Sequence, residues 1–433
     1  MRRRPLVTSV RTWTNAALAA ARGAHPVRRY AAALSVAGVT QHAAVLAAGM
    51  WIAALVTLTT RGAFDRHGTL KGVDFLQFFT AGRMVADGRV RQLYDWEAFA
   101  SALQSAVPGT GDLLFLSVYP PQVALAFAPL GRLDYLAALG VWTVITILLY
   151  AGCVWTLQHA SPLFRVNGRT WWLVAAAFAP FQQLILHGQI AAPALVCFTG
   201  AWLALRAERW WWFGAALGSL AFKPQFGVAA AIAIVVSRDY RVALGAAGAA
   251  LVQGAIAAGA LGPGVLIDYV ARIPVVLRSS ELFEPKLWQM HNLRGFWGLL
   301  LGTGRLGTFL TLASAAAVVY LVRRIWRDEP SSDVGFAALV LGAVLINPHL
   351  YVYDLVVLAV PLVIIVAFSI ERGPTEEAQL LTVIVHILCW VPLLSPLAAL
   401  THVQLTAPCL MVLLIVLTWC GDARPAPARL VEA

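Results

Sequence analysis

Apolar runs long enough to cross a bilayer recur along this chain, and they limit the folds that it can adopt. A membrane helix needs about 20 mostly apolar residues to cross a hydrocarbon core about 30 Å thick, and such runs recur from residue 37 to residue 420. The runs are continuous, whereas barrel strands alternate apolar and polar residues, so a β-barrel is excluded. With 60% hydrophobic and 12% charged residues and a mean hydropathy of +0.74, the chain is predicted to be an all-α polytopic membrane protein.

The apolar runs divide into about twelve predicted spans. Their approximate bounds are 37–60, 134–157, 171–187, 190–206, 210–222, 224–237, 241–262, 306–326, 333–347, 351–370, 380–398 and 404–420. Several are short for a full crossing and are bounded by polar turns such as HGQ and KPQ, which indicates tilted or broken helices. With a cytoplasmic N-terminus, four turns that carry arginine fall on the inner side, as the positive-inside rule requires: Arg165, Arg169, Arg206, Arg209, Arg238, Arg241, Arg323, Arg324 and Arg327.

This topology divides the chain into three parts. We expect a basic cytoplasmic tail over residues 1–36, a transmembrane domain over 37–420 and a cytoplasmic tail over 421–433. Two long connections, 61–133 and 263–305, then face outward, and the first is expected to carry amphipathic helices. The net charge of +11 is assigned to the inner loops rather than to a nucleic-acid surface, because the arginines are scattered. The abundance of Arg and Ala is typical of a GC-rich bacterial gene, so we place the protein in a bacterial inner (plasma) membrane.

The first outer connection contains a carboxylate in a suggestive position. Asp74 precedes a helical pattern in the stretch GVDFLQFFTAGRMVADGRVRQLYD, which Gly88 is expected to end. Asp74 and Gln77 have the spacing of a capping box, so a structural role is one interpretation. The other is a general base held at the membrane surface.

Further polar residues are predicted to gather on the same outer side. They are His187, Gln189, Lys223, His291, Arg294, His349 and Tyr351. Each also has a structural interpretation: Lys223 as a snorkelling side chain, the HGQ residues as a solvated turn, and the aromatic neighbours of Arg294 as interfacial anchors. Polar residues converging on one interface instead favour a site for an anionic lipid headgroup or a sugar.

Several classes of protein remain possible at this point. The chain has no GxxxxGK[ST], GxSxG, HExxH or CxxC motif, which argues against ATP-driven transport and zinc hydrolysis. A secondary transporter or a flippase for lipid-linked sugars would also have about twelve spans, but with ionisable residues at mid-membrane and an internal repeat. A non-catalytic assembly or anchoring protein would need no carboxylate in the outer connection.

The order of six short motifs resembles glycosyltransferase family 87. The motifs are DFLQFFTAGRMVADGRVRQLYD, YPP with APLGRL, HGQ, FKPQFG, KLWQMHNLRGFWG and NPHLYVYDLVVL, and they extend over roughly residues 70–370. This family has the GT-C architecture and includes the polyprenyl-phosphate-mannose-dependent α-mannosyltransferases. Asp74 matches the family's proposed base, and Gly88, Leu93 and Tyr94 match the pattern that follows it. Members often carry a serine where this chain has MHNL.

The resemblance implies a GT-C bundle that transfers a hexose, with mannose favoured, from a polyprenyl-phosphate sugar to a lipid or glycan acceptor. The transfer would take place on the outer face with inversion at the anomeric carbon and with Asp74 as the base. We expect Lys223, Arg294 and His349 to bind the leaving phosphate, and His187, Gln189, His291 and Tyr351 to contribute to donor binding. No metal, organic cofactor or nucleic acid is expected, and the protein is expected to be a monomer among membrane lipids.

Overall fold

The fold is a bundle of helices. The computed structural model describes residues 26–111, 113, 115–278, 286–328 and 332–422. Most of the predicted N-terminal tail, most of the C-terminal tail and residues 279–285 of the second outer connection lie outside the described residues. Within the described ranges there is no β-strand, and extended pairing is limited to two isolated bridges, Phe64 with Leu70 and Met290 with Tyr351.

Six helices are long and apolar enough to cross a membrane. Their bounds are Val36–Leu58, Tyr135–Ala160, Tyr240–Leu261, Arg305–Arg327, Val352–Arg372 and Glu376–Thr401. Shorter apolar helices occur at Ala191–Arg206, Pro224–Ser237, Asp333–Ile346 and Thr406–Cys420. An apolar α-helical membrane protein is therefore confirmed. The remaining six predicted spans coincide with shorter or interrupted helices, so the count of twelve is not confirmed.

The interruptions have local causes. The predicted span at 171–187 forms two helices, Gly168–Ala176 and Ala179–His187, and Pro180 lies in the first turn of the second. Proline is tolerated there because the first N–H groups of a helix have no intrahelical acceptor. The predicted span at 210–222 likewise forms Trp210–Gly218 followed by a 3₁₀ turn, Ser219–Phe222.

The helices differ in how far the protein encloses them. The apolar part of Val352–Arg372 is 72% buried, whereas that of Tyr240–Leu261 and that of Arg305–Arg327 are each 17% buried. The first is a central helix and the other two lie at the periphery, where apolar side chains suit a lipid environment. The N-terminal end of the central helix carries the motif NPHLYVYD, so that motif is held by the best-packed part of the bundle.

The connection at 61–133 contains three short helices, Phe75–Ala86, Trp96–Ala106 and Pro121–Phe127. Trp96–Ala106 buries only Phe99 and Leu103 and is amphipathic. Phe75–Ala86 is buried along nearly its whole length, so the prediction of amphipathic helices fails for this one. The reason is packing: Pro121–Phe127 approaches so closely that a Cβ on Gly82 would lie 2.3 Å from the backbone oxygen of Phe127.

The other described helices complete the bundle and its connections. They are Pro26–Ala33, Pro162–Val166, Gly264–Arg278 and Leu293–Leu301. The α-helical parts of three segments given above are Gly227–Ser237, Ala359–Arg372, and Glu376–Trp390 with Ser395–Thr401. A large apolar core unites the central helices, and a second core joins the connection at 61–133 to the start of Tyr135–Ala160. Phe75, which follows Asp74, and Ile190, which follows Gln189, belong to the second core, whereas Tyr353 belongs to the first.

Candidate functional site

Asp74 lies at the start of a helix but does not cap it. The helix Phe75–Ala86 has the predicted start and ends before Gly88, whose φ is +73°. Asp74 already has helical backbone angles, φ −78° and ψ −19°, and its carboxylate makes no capping hydrogen bond. A capping residue is normally extended and accepts from the N–H groups of the first turn. The capping-box interpretation of Asp74 and Gln77 is therefore wrong, and the carboxylate is available for another purpose.

Asp95, in the same connection, does cap a helix, Trp96–Ala106. Its φ and ψ are −83° and 115°, and its Oδ1 accepts hydrogen bonds of 3.1 Å from the backbone N–H groups of both Glu97 and Ala98. The two aspartates are thus chemically identical residues in different roles. This contrast makes Asp95 a control for any experiment on Asp74.

Gln189 holds the Asp74 carboxylate. Its Nε2 donates to Asp74 Oδ2 at 3.1 Å and to the Tyr353 hydroxyl at 3.2 Å. Gln189 is 2% exposed, while Asp74 is partly exposed. Among the described residues, only Gln189 donates a hydrogen bond to this carboxylate, and the bond is to Oδ2 rather than to Oδ1. One oxygen is fixed from the protein side and the other can receive a proton.

The HGQ turn places Gln189 beside Asp74. Gly188 ends the helix Ala179–His187 in the left-handed conformation, with φ +66°. A Cβ on Gly188 would lie 2.6 Å from the Phe75 Cβ, so only glycine allows the turn to approach so closely. The Asp74 N–H donates to the His187 carbonyl at 3.1 Å and fixes the same contact from the other side. The turn thus ends a helix and also places Gln189 beside Asp74.

A buried ion pair between Lys223 and Asp354 lies beside Tyr353, which also contacts Gln189. Lys223 Nζ donates to Asp354 Oδ1, and both side chains are 1% exposed. Lys223 Nζ also lies 5.4 Å from the centroid of the Tyr353 ring, within cation–π range. Snorkelling to the interface, the structural interpretation of Lys223, is therefore wrong. The ammonium faces inward and is compensated by a carboxylate 131 residues away in sequence.

Tyr119, in the YPP motif, lies near the two carboxylates of the site. Its ring centroid is 4.9 Å from that of Phe78, and its backbone carbonyl accepts a hydrogen bond of 2.8 Å from the Tyr94 hydroxyl. Burial raises the pKa of the Tyr119 hydroxyl, and the negative charges of Asp354 and Asp74 raise it further. The hydroxyl is therefore neutral at physiological pH.

The other predicted site residues gather around residues 347–354. His187 packs its ring 5.4 Å from that of Tyr353, and His349 packs 4.7 Å from Tyr351. An Arg294 guanidinium nitrogen donates to the Pro348 carbonyl at 3.3 Å. The predicted residues other than His291 are thereby linked, directly or through one neighbour, to residues 347–354. In the sequence, Tyr353 and Asp354 stand out only as members of the motif, and no pattern indicates that Tyr119 lies near the site.

His291 is placed differently from the rest. It is fully buried, with Nδ1 2.9 Å from Thr406 Oγ1 and Nε2 3.0 Å from Ser395 Oγ. Burial lowers its pKa to about 3, so the imidazole is neutral at physiological pH. Both ring nitrogens serve packing between the connection and the last two helices. Its predicted contact with the donor stays a prediction.

Within the described ranges, no three His, Cys, Asp or Glu side chains come together as ligands for a metal ion would. The two carboxylates of the site belong to separate subsets, one held by Gln189 and the other by Lys223. Among the described residues, the arrangement therefore combines a partly exposed carboxylate, a compensated buried charge and several hydrogen-bond donors around them.

The comparisons with known proteins give one result. No curated protein and no solved structure matches the chain. A family model, glycosyltransferase family 87, matches residues 115–348, which is more than half of the chain. The match contains Tyr119, His187, Gln189, Lys223, His291 and Arg294, and it ends before Tyr351 and begins after Asp74. The chain belongs to glycosyltransferase family 87, a family of the GT-C type, and is a membrane glycosyltransferase.

Proposed function

We propose that this protein transfers a hexose, with mannose as the first candidate, from a polyprenyl-phosphate sugar to a lipid or glycan acceptor. The observation that carries the proposal is the Asp74 carboxylate, which is partly exposed, does not cap its helix and is held through one oxygen by Gln189. A lipid-borne donor requires no nucleotide-binding domain. It would bring the anomeric carbon to the membrane interface, where we propose that Asp74 and the polar residues around it lie.

The proposed chemistry is a single displacement. The acceptor hydroxyl attacks the anomeric carbon while Asp74 takes its proton, and the bond from that carbon to the phosphate oxygen breaks on the opposite face of the sugar. The phosphate leaves with the bonding electron pair, and the sugar inverts. Arg294, His349 and Tyr351 are proposed to bind this phosphate, because charge-assisted hydrogen bonds stabilise the negative charge that develops there.

Lys223 has a different part in this scheme. Its ammonium is bound to Asp354 and is 1% exposed, so direct contact with the phosphate would require an exchange of partners. In the resting arrangement it holds Asp354 and lies beside the Tyr353 ring, whose hydroxyl contacts Gln189. We propose that the pair fixes this network, with the whole site on the outer face of a bacterial inner membrane.

The donor is tested directly with membranes that express the wild-type chain or an empty vector. Labelled polyprenyl-phosphate mannose and labelled nucleotide-linked mannose are supplied separately, with the synthesis of lipid-linked mannose blocked in the second case. We expect label to enter an extractable product from the lipid donor only, and only with the chain present. Transfer from the nucleotide donor alone would contradict the proposed donor while leaving the family membership intact.

Gln189→Leu is expected to lower kcat about tenfold to a hundredfold while changing the KM of the donor little. Leucine removes the amide that orients Asp74, and misplacement of a reacting group by about 1 Å can cost a hundredfold in rate. The matched control is Gln183→Leu, in the helix Ala179–His187 that precedes Gln189, because the Gln183 amide contacts Gln182 rather than Asp74. Equal kcat values for the two variants, measured with purified protein at matched concentrations, would show that Gln189 does not position the base.

A further inference from the structure

A largely apolar cavity lies between membrane helices, away from the site described above. It encloses about 630 Å³ between the helices Val36–Leu58, Gly168–Ala176, Ala359–Arg372 and Glu376–Trp390. Sites for small ligands typically enclose about 300–1,000 Å³. None of the residues lining the cavity is Asp, Glu, Lys or Arg. An apolar cavity of this size within a membrane is suited to hydrocarbon rather than to water.

The cavity lies towards the other end of the bundle from Asp74. It is lined by the first half of Val36–Leu58, and by the central helix only from Leu362 onwards. Asp354 lies eight residues earlier on that helix, which corresponds to roughly 12 Å or more at about 1.5 Å per residue. The cavity therefore lies nearer the end of the bundle that is opposite to Asp74, and a headgroup at that end would not reach Asp74.

The few polar groups in the wall can hydrogen-bond without carrying a permanent charge. His42 and His386 face each other across two helices with ring centroids 5.9 Å apart, and Tyr30 packs 5.8 Å from His386. Thr40 and Thr170 join two of the surrounding helices through a hydrogen bond of 2.6 Å. The wall thus suits an amphiphile, with polar contacts in one region and aliphatic contacts elsewhere.

Arginines surround the same end of the cavity. Arg29, Arg165 and Arg169 are exposed, and each lies within a few residues of the lining residues Leu34 and Asn167. Three carboxylates, Glu371, Glu376 and Glu377, lie within a few residues of the lining residues Ile370 and Thr382, and Glu376 is paired with Arg28. The excess positive charge at the rim would attract an anionic headgroup, as basic pockets between membrane helices do.

We propose that this cavity binds one hydrocarbon chain of an anionic phospholipid from the leaflet at that end of the bundle. The chain lies between the four helices, the glycerol region reaches the His42 and His386 imidazoles, and Arg165 and Arg169 bind the phosphate. Such a lipid would connect the helices Val36–Leu58 and Gly168–Ala176 to the central helix. The proposal does not depend on the transfer reaction, since it concerns separate residues.

The test uses the full-length protein in detergent and phosphatidylglycerol as the probe, with phosphatidylcholine as the uncharged competitor. Native mass spectrometry is expected to show one phosphatidylglycerol retained by the wild type in preference to phosphatidylcholine. Val174→Trp fills the cavity and is expected to reduce the bound fraction about tenfold. Val252→Trp, on a peripheral helix where the side chain is 59% exposed, is the matched control and is expected to retain the lipid.

Two further measurements decide the assignment. Arg165→Gln with Arg169→Gln is expected to abolish the preference for phosphatidylglycerol, whereas Arg305→Gln with Arg323→Gln, both exposed and away from the cavity, is expected to keep it. A phosphatidylglycerol with a diazirine in its chain should label wild-type peptides containing His42 or Trp390, which requires no variant to fold. Retention by Val174→Trp equal to wild type, labelling elsewhere, or a copurified polyprenyl lipid in this cavity would overturn the proposal.

Discussion

Replacing Asp74 by asparagine is expected to reduce sugar transfer about a hundredfold to ten-thousandfold, the usual contribution of a general base. Asparagine has nearly the same shape and can still hydrogen-bond with Gln189, but it cannot take a proton from an acceptor hydroxyl. Because the Asp74 carboxylate caps no helix, the variant should accumulate and melt like the wild type. The measurement is transfer from labelled polyprenyl-phosphate mannose by purified protein at matched concentrations.

Asp95→Asn is the control for this experiment. Asp95 caps the helix Trp96–Ala106 through two backbone N–H groups, and asparagine caps about as well as aspartate. We expect its transfer rate to equal that of the wild type. If Asp74→Asn and Asp95→Asn were equally active, the carboxylate of Asp74 would have no chemical role and the proposed mechanism would be wrong.

Breaking the Lys223–Asp354 pair from one side is expected to cost about 3–5 kcal/mol of folding stability, because a buried charge is then left without its partner. Lys223→Met leaves the Asp354 carboxylate at 1% exposure, and Asp354→Asn leaves the ammonium in the same position. Either variant should lower the melting temperature strongly. The measurement is thermal unfolding in one detergent at one lipid content.

The double variant distinguishes the loss of the ion pair from the independent effects of changing each side chain. Lys223→Met with Asp354→Asn removes both charges, and we expect it to be considerably more stable than either single variant, since neutral replacement of a buried pair is often tolerated. Additive losses would show that the two residues do not stabilise each other. Arg241→Gln offers a comparison, because its ion pair with Asp239 is partly exposed, and we expect this variant to melt close to the wild type.

Much of the helical framework could be predicted from the sequence, because lipid imposes simple limits on length and composition. The start of the helix after Asp74 and the glycine after its end were predicted correctly from local pattern. The number of crossings was not confirmed, since apolar composition alone does not tell a full crossing from a short or broken helix packed inside the bundle. The enclosure of Phe75–Ala86 depends on the close approach at Gly82, which no periodicity reveals.

The site was less predictable, because its contacts join distant parts of the chain. Spacing alone favoured a capping role for Asp74, and only the family resemblance favoured a base. The hydrogen bond from Gln189 crosses 115 residues and the Lys223–Asp354 pair crosses 131, so neither leaves a local signal. Tyr119 has no local signal for the same reason: next to two prolines it is typical of a turn, and only the fold brings it near Asp74 and Asp354.

The most direct test of the central claim is the configuration of the anomeric carbon in the product. A purified wild-type protein is given polyprenyl-phosphate mannose of defined β configuration, and the linkage in the product is assigned by NMR. A single displacement with Asp74 as the one base predicts α-linked mannose. A β-linked product would require an intermediate on a protein nucleophile, and it would contradict the account of this site.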